Sequence, residues 1–467
     1  MTNVPAFDTS FVAASLGDLL IEHTGPHVEF RRAVIDSREA ADGDLFVALE
    51  GTRVDGHQYA TAAVEHGAHG VLVREPVDLR PEIAMFIVSD PLAALQRIAV
   101  AWRSSLDRLQ VVGVTGNVGK STTKLITAAL LQSRYRVQAE AQNYNNEIGV
   151  PLCLLRLRPE TERAVIEMGM YTTGEIALLC EWTRPQIGIV LNVGPVHLER
   201  AGSLDVIARA KRELVESLPP DGHAILNVDD PRVRAMASHT RAQVWTVGTS
   251  PELDVRSSDL ESRGADGFLF TLHALGRSRR VRVALPGAHL VTNVLASAAA
   301  ALADGVEFDT VCESIERLDV PTRLTIRRSV RGFTVLDDTY NASPVATLAA
   351  LDLLGETPGR RIAVLGDMLE LGDLSAVEHE RVGRRAAEVA DVLLTVGSHA
   401  STMNEAASRA GLADTHHFAS KEEIGAAVRA LVAPGDVVLV KASRALALES
   451  VVAELLAPNA SEGTAST

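Results

Sequence analysis

The residues best suited to chemistry begin in the run VVGVTGNVGKSTTKLITAALL, Val111–Leu131. Five apolar or small residues suit a buried strand, Gly116 and Gly119 permit a sharp loop, and the residues from Lys120 on have a helical apolar rhythm. Such a helix aims its free N–H groups at the loop, where an anion can bind. The segment Thr115, Gly116, Asn117, Val118, Gly119, Lys120, Ser121 and Thr122 is thus a candidate nucleotide site, with Lys120 neutralising phosphates and the Ser121 hydroxyl available to Mg²⁺. The strict P-loop pattern places a further glycine at the position of Val114. A plain strand–turn–helix is the alternative, but it gives no reason for Lys-Ser-Thr to follow the second glycine.

Other reactive groups stand where apolar runs end. Glu167 closes RAVIE and His197 follows IVLNVGPV, so a carboxylate and an imidazole would emerge at the same crevice as the phosphate loop. A carboxylate ending an apolar run needs a partner, and metal or phosphate chemistry supplies one; an edge salt bridge is the plainer reading, and His197 by itself is as easily structural. Lys211 lies in the amphipathic SLDVIARAKRELVESL, where a solvated helix-face lysine is the ordinary outcome. In LDDTYNASP, Asp338 can accept from ribose hydroxyls and Asn341 can read a polar ligand, although an Asx-turn into a helix explains the same residues. Lys441 and Arg444 in VKASR end another apolar run and suit a carboxylate or phosphate.

The elements needed to position these groups are legible. Residues 1–90 read as a small mixed α/β unit, with a strand at LFVAL and a helix, turn and strand over YATAAVEHGAHGVLV. Residues 91–321 open with the helical PLAALQRIAVAWRSSL and then alternate strand and helix, as a doubly wound parallel sheet does. Residues 322–457 repeat that alternation through FTVLDD, RIAVLG, VLLTVG and DVVLVK, a second Rossmann-like sheet. The tail 458–467 is small and polar, an expected disordered end.

Composition narrows the class. The chain has 467 residues, 46% hydrophobic, and a net charge of −15 without a sustained basic run, which argues against nucleic acid as a partner. No stretch reaches transmembrane length, and the N-terminus lacks a basic start followed by a long apolar core, so the expected location is the cytoplasm, without membrane insertion. Cys153, Cys180 and Cys312 are scattered, as buried packing residues of a reducing compartment are.

Taken together, TGNVGKSTTK, NYNNEIGVPL, VIEMGMYTTGEI, TRPQIGIVLNVGPVHLERAGSLDVIARAK, LDDTYNASP, VLGDMLELG and GDVVLVKASR resemble the Mur ligases, ATP-dependent amide-forming enzymes of peptidoglycan precursor synthesis. The blocks are most similar to the branch that adds D-alanyl-D-alanine to UDP-N-acetylmuramoyl-tripeptide. The resemblance implies a UDP-substrate domain, an ATPase domain and a C-terminal ligase domain, acting as a monomer with ATP and Mg²⁺. It also implies roles. Ser37 and Arg38 would hold the UDP-sugar, and Asn143, Asn145 and Asn146 would line the crevice. Ser121, Glu167 and His197 would surround Mg²⁺, with Lys211 carbamylated to hold a second ion. Asn293, Arg323 and Asp338 would grip adenine and ribose, while Tyr340, Asn341, Lys441 and Arg444 would meet substrate. Lys120, Glu167, His197 and Lys211 are thereby the expected catalytic set.

The chain departs from the family pattern at Asn117-Val118, Leu290, Ser343 and Ala442. A branch that adds a diamino acid carries Asn-Pro-Arg in its third domain, where this chain has NASP. A ligase with another acceptor, or a P-loop protein without ligase activity, remains as an alternative.

Overall fold

The computed structural model describes residues 7–51, 54–140, 142–195 and 198–457, which build three sheet-centred units in chain order. His197 and the tail 458–467 lie outside the described residues, so the expectations for them stand as sequence readings only.

The first unit is a five-stranded sheet in the order Leu20–Thr24, Ala84–Val88, Ala68–Val73, Asp44–Val47, Arg32–Val34, with only the Leu20–Thr24 edge antiparallel. The helix Pro91–Ser105 follows it. Asp90 caps that helix by accepting from Leu92 N and Ala93 N, and Pro91 occupies the first turn, where a missing N–H does no harm. Its Leu95, Ile98 and Trp102 join Phe30 and Phe86 of the first sheet to Leu154 and Leu179 of the second unit in one apolar cluster. The first two units therefore share a core across this helix.

The central unit holds a nine-stranded sheet. Its parallel part runs Val137–Ala139, Arg163–Glu167, Gln110–Thr115, Ile187–Val190, His223–Asn227, Gln243–Gly248, Val255–Ser262. Gln110–Thr115 sits between Arg163–Glu167 and Ile187–Val190, and this adjacency carries the loops after all three strands to one end of the sheet. The expectation of uninterrupted strand–helix alternation fails after Val255. There the strands Phe268–Ala274 and Arg277–Val283 add antiparallel, joined by Leu275 and Gly276 with φ of 54° and 72°. A two-residue turn with both φ values positive matches the twist of a hairpin and closes one where a crossover helix would need many more residues. On the same face as the helix Lys120–Leu131 packs the Ala-rich helix Val291–Ala303, whose small side chains let the two approach closely enough for Thr127 Oγ1 to donate to Ser297 Oγ at 2.9 Å.

The third unit is a six-stranded sheet ordered Thr325–Arg328, Thr334–Asp337, Val437–Lys441, Arg361–Gly366, Val392–Val396, Thr415–Phe418, parallel except for its first strand. Two apolar clusters cover its two faces, as a doubly wound sheet requires. All three cysteines are buried and free, and burial pushes the Cys153 and Cys180 thiols up to about 12. Among the described residues no helix is long and apolar enough to cross a membrane.

Candidate active site

A crevice of about 540 Å³ separates the central and third units, with the loop Gly116–Gly119 on one wall and Asp338 to Ser343 on the other. Its size suits a nucleotide-sized ligand. The helix begins at Lys120, and Gly119 before it has φ of 90°, a left-handed conformation open to glycine. A Cβ there would also press on the Asn293 amide that bonds Gly119 O, so a side chain at 119 would have to displace it. The first i to i−4 bond runs from Thr123 N to Gly119 O, which leaves the N–H groups of Lys120, Ser121 and Thr122 ahead of the helical ladder. Lys120 Nζ donates to the carbonyls of Gly116 at 2.8 Å and Asn117 at 3.3 Å, folded over the loop that an anion would fill.

Behind this loop stands Glu167, 2% exposed. One carboxylate oxygen accepts from Ser121 Oγ at 2.7 Å and the other from Asn145 Nδ2 at 2.7 Å. Burial opposes its ionisation, but Lys120, the bonds from Ser121 and Asn145, and then Lys124 outweigh it and hold the carboxyl below its ordinary value. Burial acts the other way on Lys120 and lowers its ammonium pKa, with Glu167 opposing. Lys211 is 2% exposed, contrary to the solvated helix face that its amphipathic segment suggests. The helix Leu204–Glu216 presents it to the crevice, where it makes no hydrogen bond or ion pair to a described residue. Burial, and then the neighbouring Lys120, push its pKa well below the lysine range.

The opposite wall is held by a different kind of pair. Lys441 Nζ donates to Asp338 Oδ2 at 2.5 Å and to the carbonyl of Asn341 at 2.8 Å, and both charged side chains are nearly enclosed. Burial raises the Asp338 pKa even though Lys441 works against it. The neighbouring Asp337 instead closes the Asx-turn expected of this sequence, accepting from Thr339 N and Oγ1. Arg323 connects the walls: Nη2 donates to Ser121 Oγ at 2.8 Å and to Asn143 Oδ1 at 3.3 Å, while the guanidinium lies 3.5 Å from the Tyr340 ring centroid. Arg444 faces the same ring at 5.7 Å.

Other expected residues are placed with less uniformity. Asn293 uses both amide hydrogens, on Gly119 O at 3.1 Å and Thr123 Oγ1 at 2.8 Å, so its oxygen is what a ligand would meet. Asn146 lines the crevice but accepts from Gly149 N at 2.9 Å, capping the helix that follows. Thr115 is fully buried, its hydroxyl donating to Met168 O at 2.9 Å, so it supports the sheet and lies outside the crevice lining. Ser37 and Arg38 belong to the first unit and do not line this crevice. Arg38 forms a fork on Asp36 at 2.9 and 2.5 Å, and that bond above all brings the Asp36 carboxyl down to about 2.

Two residues given no role by sequence reasoning matter here. Lys124 is 2% exposed, donates to Gln142 O at 3.0 Å and stands 3.9 Å from Glu167. Its signal was available: a lysine four residues after Lys120 lies on the same helix face and so points inward. Asn192 touches the phosphate loop, and only the sheet order brings it there.

Among the described residues no three His, Cys, Asp or Glu side chains cluster as a ready metal site. The donors present still fit Mg²⁺, which takes one or two protein oxygens and completes its shell with phosphate and water. Ser121 Oγ and the Glu167 carboxylate supply hard oxygens 2.7 Å apart beside the phosphate loop.

A P-loop parallel sheet facing a Rossmann-like unit across a lysine-rich crevice defines a class of nucleotide-driven ligase, and the sequence comparisons agree. Family models match in three consecutive parts: "Mur ligase family, catalytic domain" over 30–115, "Mur ligase middle domain" over 114–301 and "Mur ligase, glutamate ligase domain" over 322–444. The UDP-N-acetylmuramoyl-tripeptide–D-alanyl-D-alanine ligase of Synechocystis sp. is 37% identical over 446 residues, 94% of this chain and 95% of that one. The Escherichia coli protein of the same name is 36% identical over 455 residues, covering 96% and 98%. The chain belongs to the Mur ligase family. Among solved structures, MurF of Acinetobacter baumannii superposes with a TM-score of 0.85 at 31% identity, covering 97% of this chain and 99% of that one. MurF of Thermotoga maritima in complex with ADP gives 0.77 at 30% identity, covering 91% and 97%.

Proposed function

We propose that this chain is an ATP-dependent amide ligase that joins D-alanyl-D-alanine to UDP-N-acetylmuramoyl-tripeptide in cytoplasmic peptidoglycan precursor synthesis. The observation that carries this reading is the pairing of two walls in one crevice. One is a phosphate loop backed by Ser121, Glu167 and Lys211, and the other is the Asp338–Lys441 pair. The relatives' names supply the substrates.

The terminal carboxylate of the tripeptide attacks the γ-phosphorus of ATP. A carboxyl C–O–P linkage forms as the bond to the β,γ-bridging oxygen breaks, and ADP leaves with that electron pair. The dipeptide amine then attacks the acyl carbon, the C–O bond to phosphate breaks, and the amine proton is lost as the amide forms. Two anions meet in the first step, so positive charge at fixed positions is the main requirement. Lys120 turns from its loop carbonyls to the phosphates, joined by the N–H groups that open the helix. Mg²⁺ bound by Ser121 and Glu167, with His197, would add further neutralisation of the phosphate oxygens. Lys211 suits carbamylation because burial favours the neutral amine, the form that adds CO₂, and a carbamate would turn a buried amine with no partner among the described residues into an oxygen donor.

On the facing wall Lys441 commits two of its three hydrogens to Asp338 and Asn341, leaving one for an incoming anion. The pair also keeps Asp338 in place as an acceptor for ribose hydroxyls. Approach of the two walls would exclude water from the acyl phosphate.

The test is ADP and phosphate release with a panel of UDP-muramoyl peptides, with and without D-alanyl-D-alanine. Stoichiometric ADP and an amide product of the expected mass should require both substrates. ADP release indifferent to the dipeptide, or a larger rate with a single amino acid, would overturn the reading.

A further inference from the structure

The phosphate loop is held from outside by a side chain that its own motif does not contain. Asn192, two residues past the end of the strand Ile187–Val190, accepts at Oδ1 from the N–H groups of both Asn117 and Val118, each at 2.9 Å. Its Nδ2 donates to the Val118 carbonyl at 2.9 Å. Asn117 reciprocates, accepting from Gly194 N at 2.9 Å. The loop and the strand end are thus joined by bonds running in both directions through two asparagine side chains.

The platform under Asn192 is itself pinned residue by residue. Leu191 N donates to Thr115 O at 3.1 Å, and Leu191 O accepts from the buried Asn227 Nδ2 at 2.8 Å. Val193 N donates to Asp230 Oδ2 at 2.7 Å. Leu191 also fills the space beneath Gly116, where a Cβ would fall 2.9 Å from its own. Asn192 therefore has a fixed backbone on both sides, as a side chain that positions another loop must have.

Two consequences follow. The Asn117 and Val118 amides already have acceptors, so the phosphates fall to the N–H groups of Gly119, Lys120, Ser121 and Thr122 and to Lys120 Nζ. And a loop with Val114 where the strict motif has glycine keeps its shape through an outside acceptor. We propose that Asn192 is a positioning residue for the nucleotide: it sets the phosphate loop in its receiving shape before the nucleotide arrives, so that binding does not have to order the loop. The inference builds on the nucleotide site of the proposed function, but not on the identity of the acceptor.

Asn192→Ala removes the side-chain acceptor and donor together, leaving the Asn117 N–H only the Asn192 main-chain carbonyl at 3.2 Å, while Asn192→Asp keeps the acceptor, loses the donor to Val118 O and places a negative charge beside the phosphates. Calorimetric titration with ADP, with and without Mg²⁺, should show about tenfold weaker binding for Asn192→Ala and a larger loss for Asn192→Asp. In turnover, the KM for ATP should rise by a similar factor while the KM for UDP-N-acetylmuramoyl-tripeptide stays within about twofold, because the loop touches only the nucleotide. ADP affinity equal to wild type in Asn192→Ala would overturn the inference. So would equal rises in both KM values with a matching fall in melting temperature, the signature of a merely structural asparagine. Should the wild-type protein bind ADP but fail to make the amide, the ligase reading falls, while the titrations still decide the role of Asn192.

Discussion

On the central side of the crevice, Lys120 and Lys124 act on the same carboxylate, Glu167, and Lys211 adds a third buried lysine, with no partner among the described residues. On the C-terminal wall, Lys441 is closed on Asp338 at 2.5 Å, one cation to one anion. Both walls bury charge, and burying charge without compensation is costly. The central wall has more lysine than carboxylate and would be balanced by a polyanion; the C-terminal wall is balanced internally and would meet a ligand through what remains of its hydrogen-bonding capacity. On the proposed reading, excess positive charge serves phosphate transfer and paired charge holds geometry.

That contrast can be broken experimentally. The largest effect should come from Lys120→Ala, which removes the cation proposed to meet the phosphates: product formation should fall by roughly 10³-fold or more, with an unchanged circular dichroism spectrum. Near-normal turnover would show that the central wall does not work by charge. Next, Lys441→Met leaves Asp338 buried without its counter-ion and should destabilise the fold by about 3–5 kcal/mol in denaturant titration. The double variant Lys441→Met with Asp338→Leu should recover most of that stability and stay inactive. If the single variant is as stable as wild type, the pair is not the internally balanced unit described.

Lys211→Ala should preserve stability, since it deletes a buried amine with no partner among the described residues. It should lower the rate by about 10²-fold, with partial recovery in added acetate or formate; an unchanged rate would reject a carbamate at this position. The smallest effect belongs to an exposed pair far from either wall. The fork with Arg38 holds the Asp36 carboxyl at about 2, below the ordinary aspartate value of about 3.9. A depressed folded pKa gives stability that is present above the unfolded value and is lost as pH falls towards the folded one. Asp36→Asn should therefore remove a small acid-side contribution between about pH 4 and 2, read as a slightly shifted acid melting curve; an NMR titration of Asp36 near 4 would contradict the fork with Arg38.

Much of the fold could be read directly. Apolar runs ending in polar residues marked Arg163–Glu167, Ile187–Val190, Thr334–Asp337 and Val437–Lys441, because strands buried on both faces need continuous apolar sequence. The hairpin Phe268–Val283 was not legible. RSRRVRV is polar enough to read as loop, and its arginines are matched to acids on neighbouring elements, as Arg277 is to Asp309 and Arg279 is to Glu316. Thr115 shows the limit of motif reading: membership of the loop segment does not say which way a strand's last side chain points.

What the sequence determined by itself is local. Gly119, Lys120 and Ser121 are adjacent, so the loop-to-helix turn and the cation at its head depend on backbone sterics and helix-end chemistry alone. What the tertiary structure decided is every relation across distance: Asn192 against Asn117, Arg323 on Ser121, the burial of Lys211, the closure of Lys441 on Asp338. These depend on which strands are neighbours and how deeply a helix face sinks, and those properties arise from packing many residues at once, so a linear pattern of residue types does not contain them.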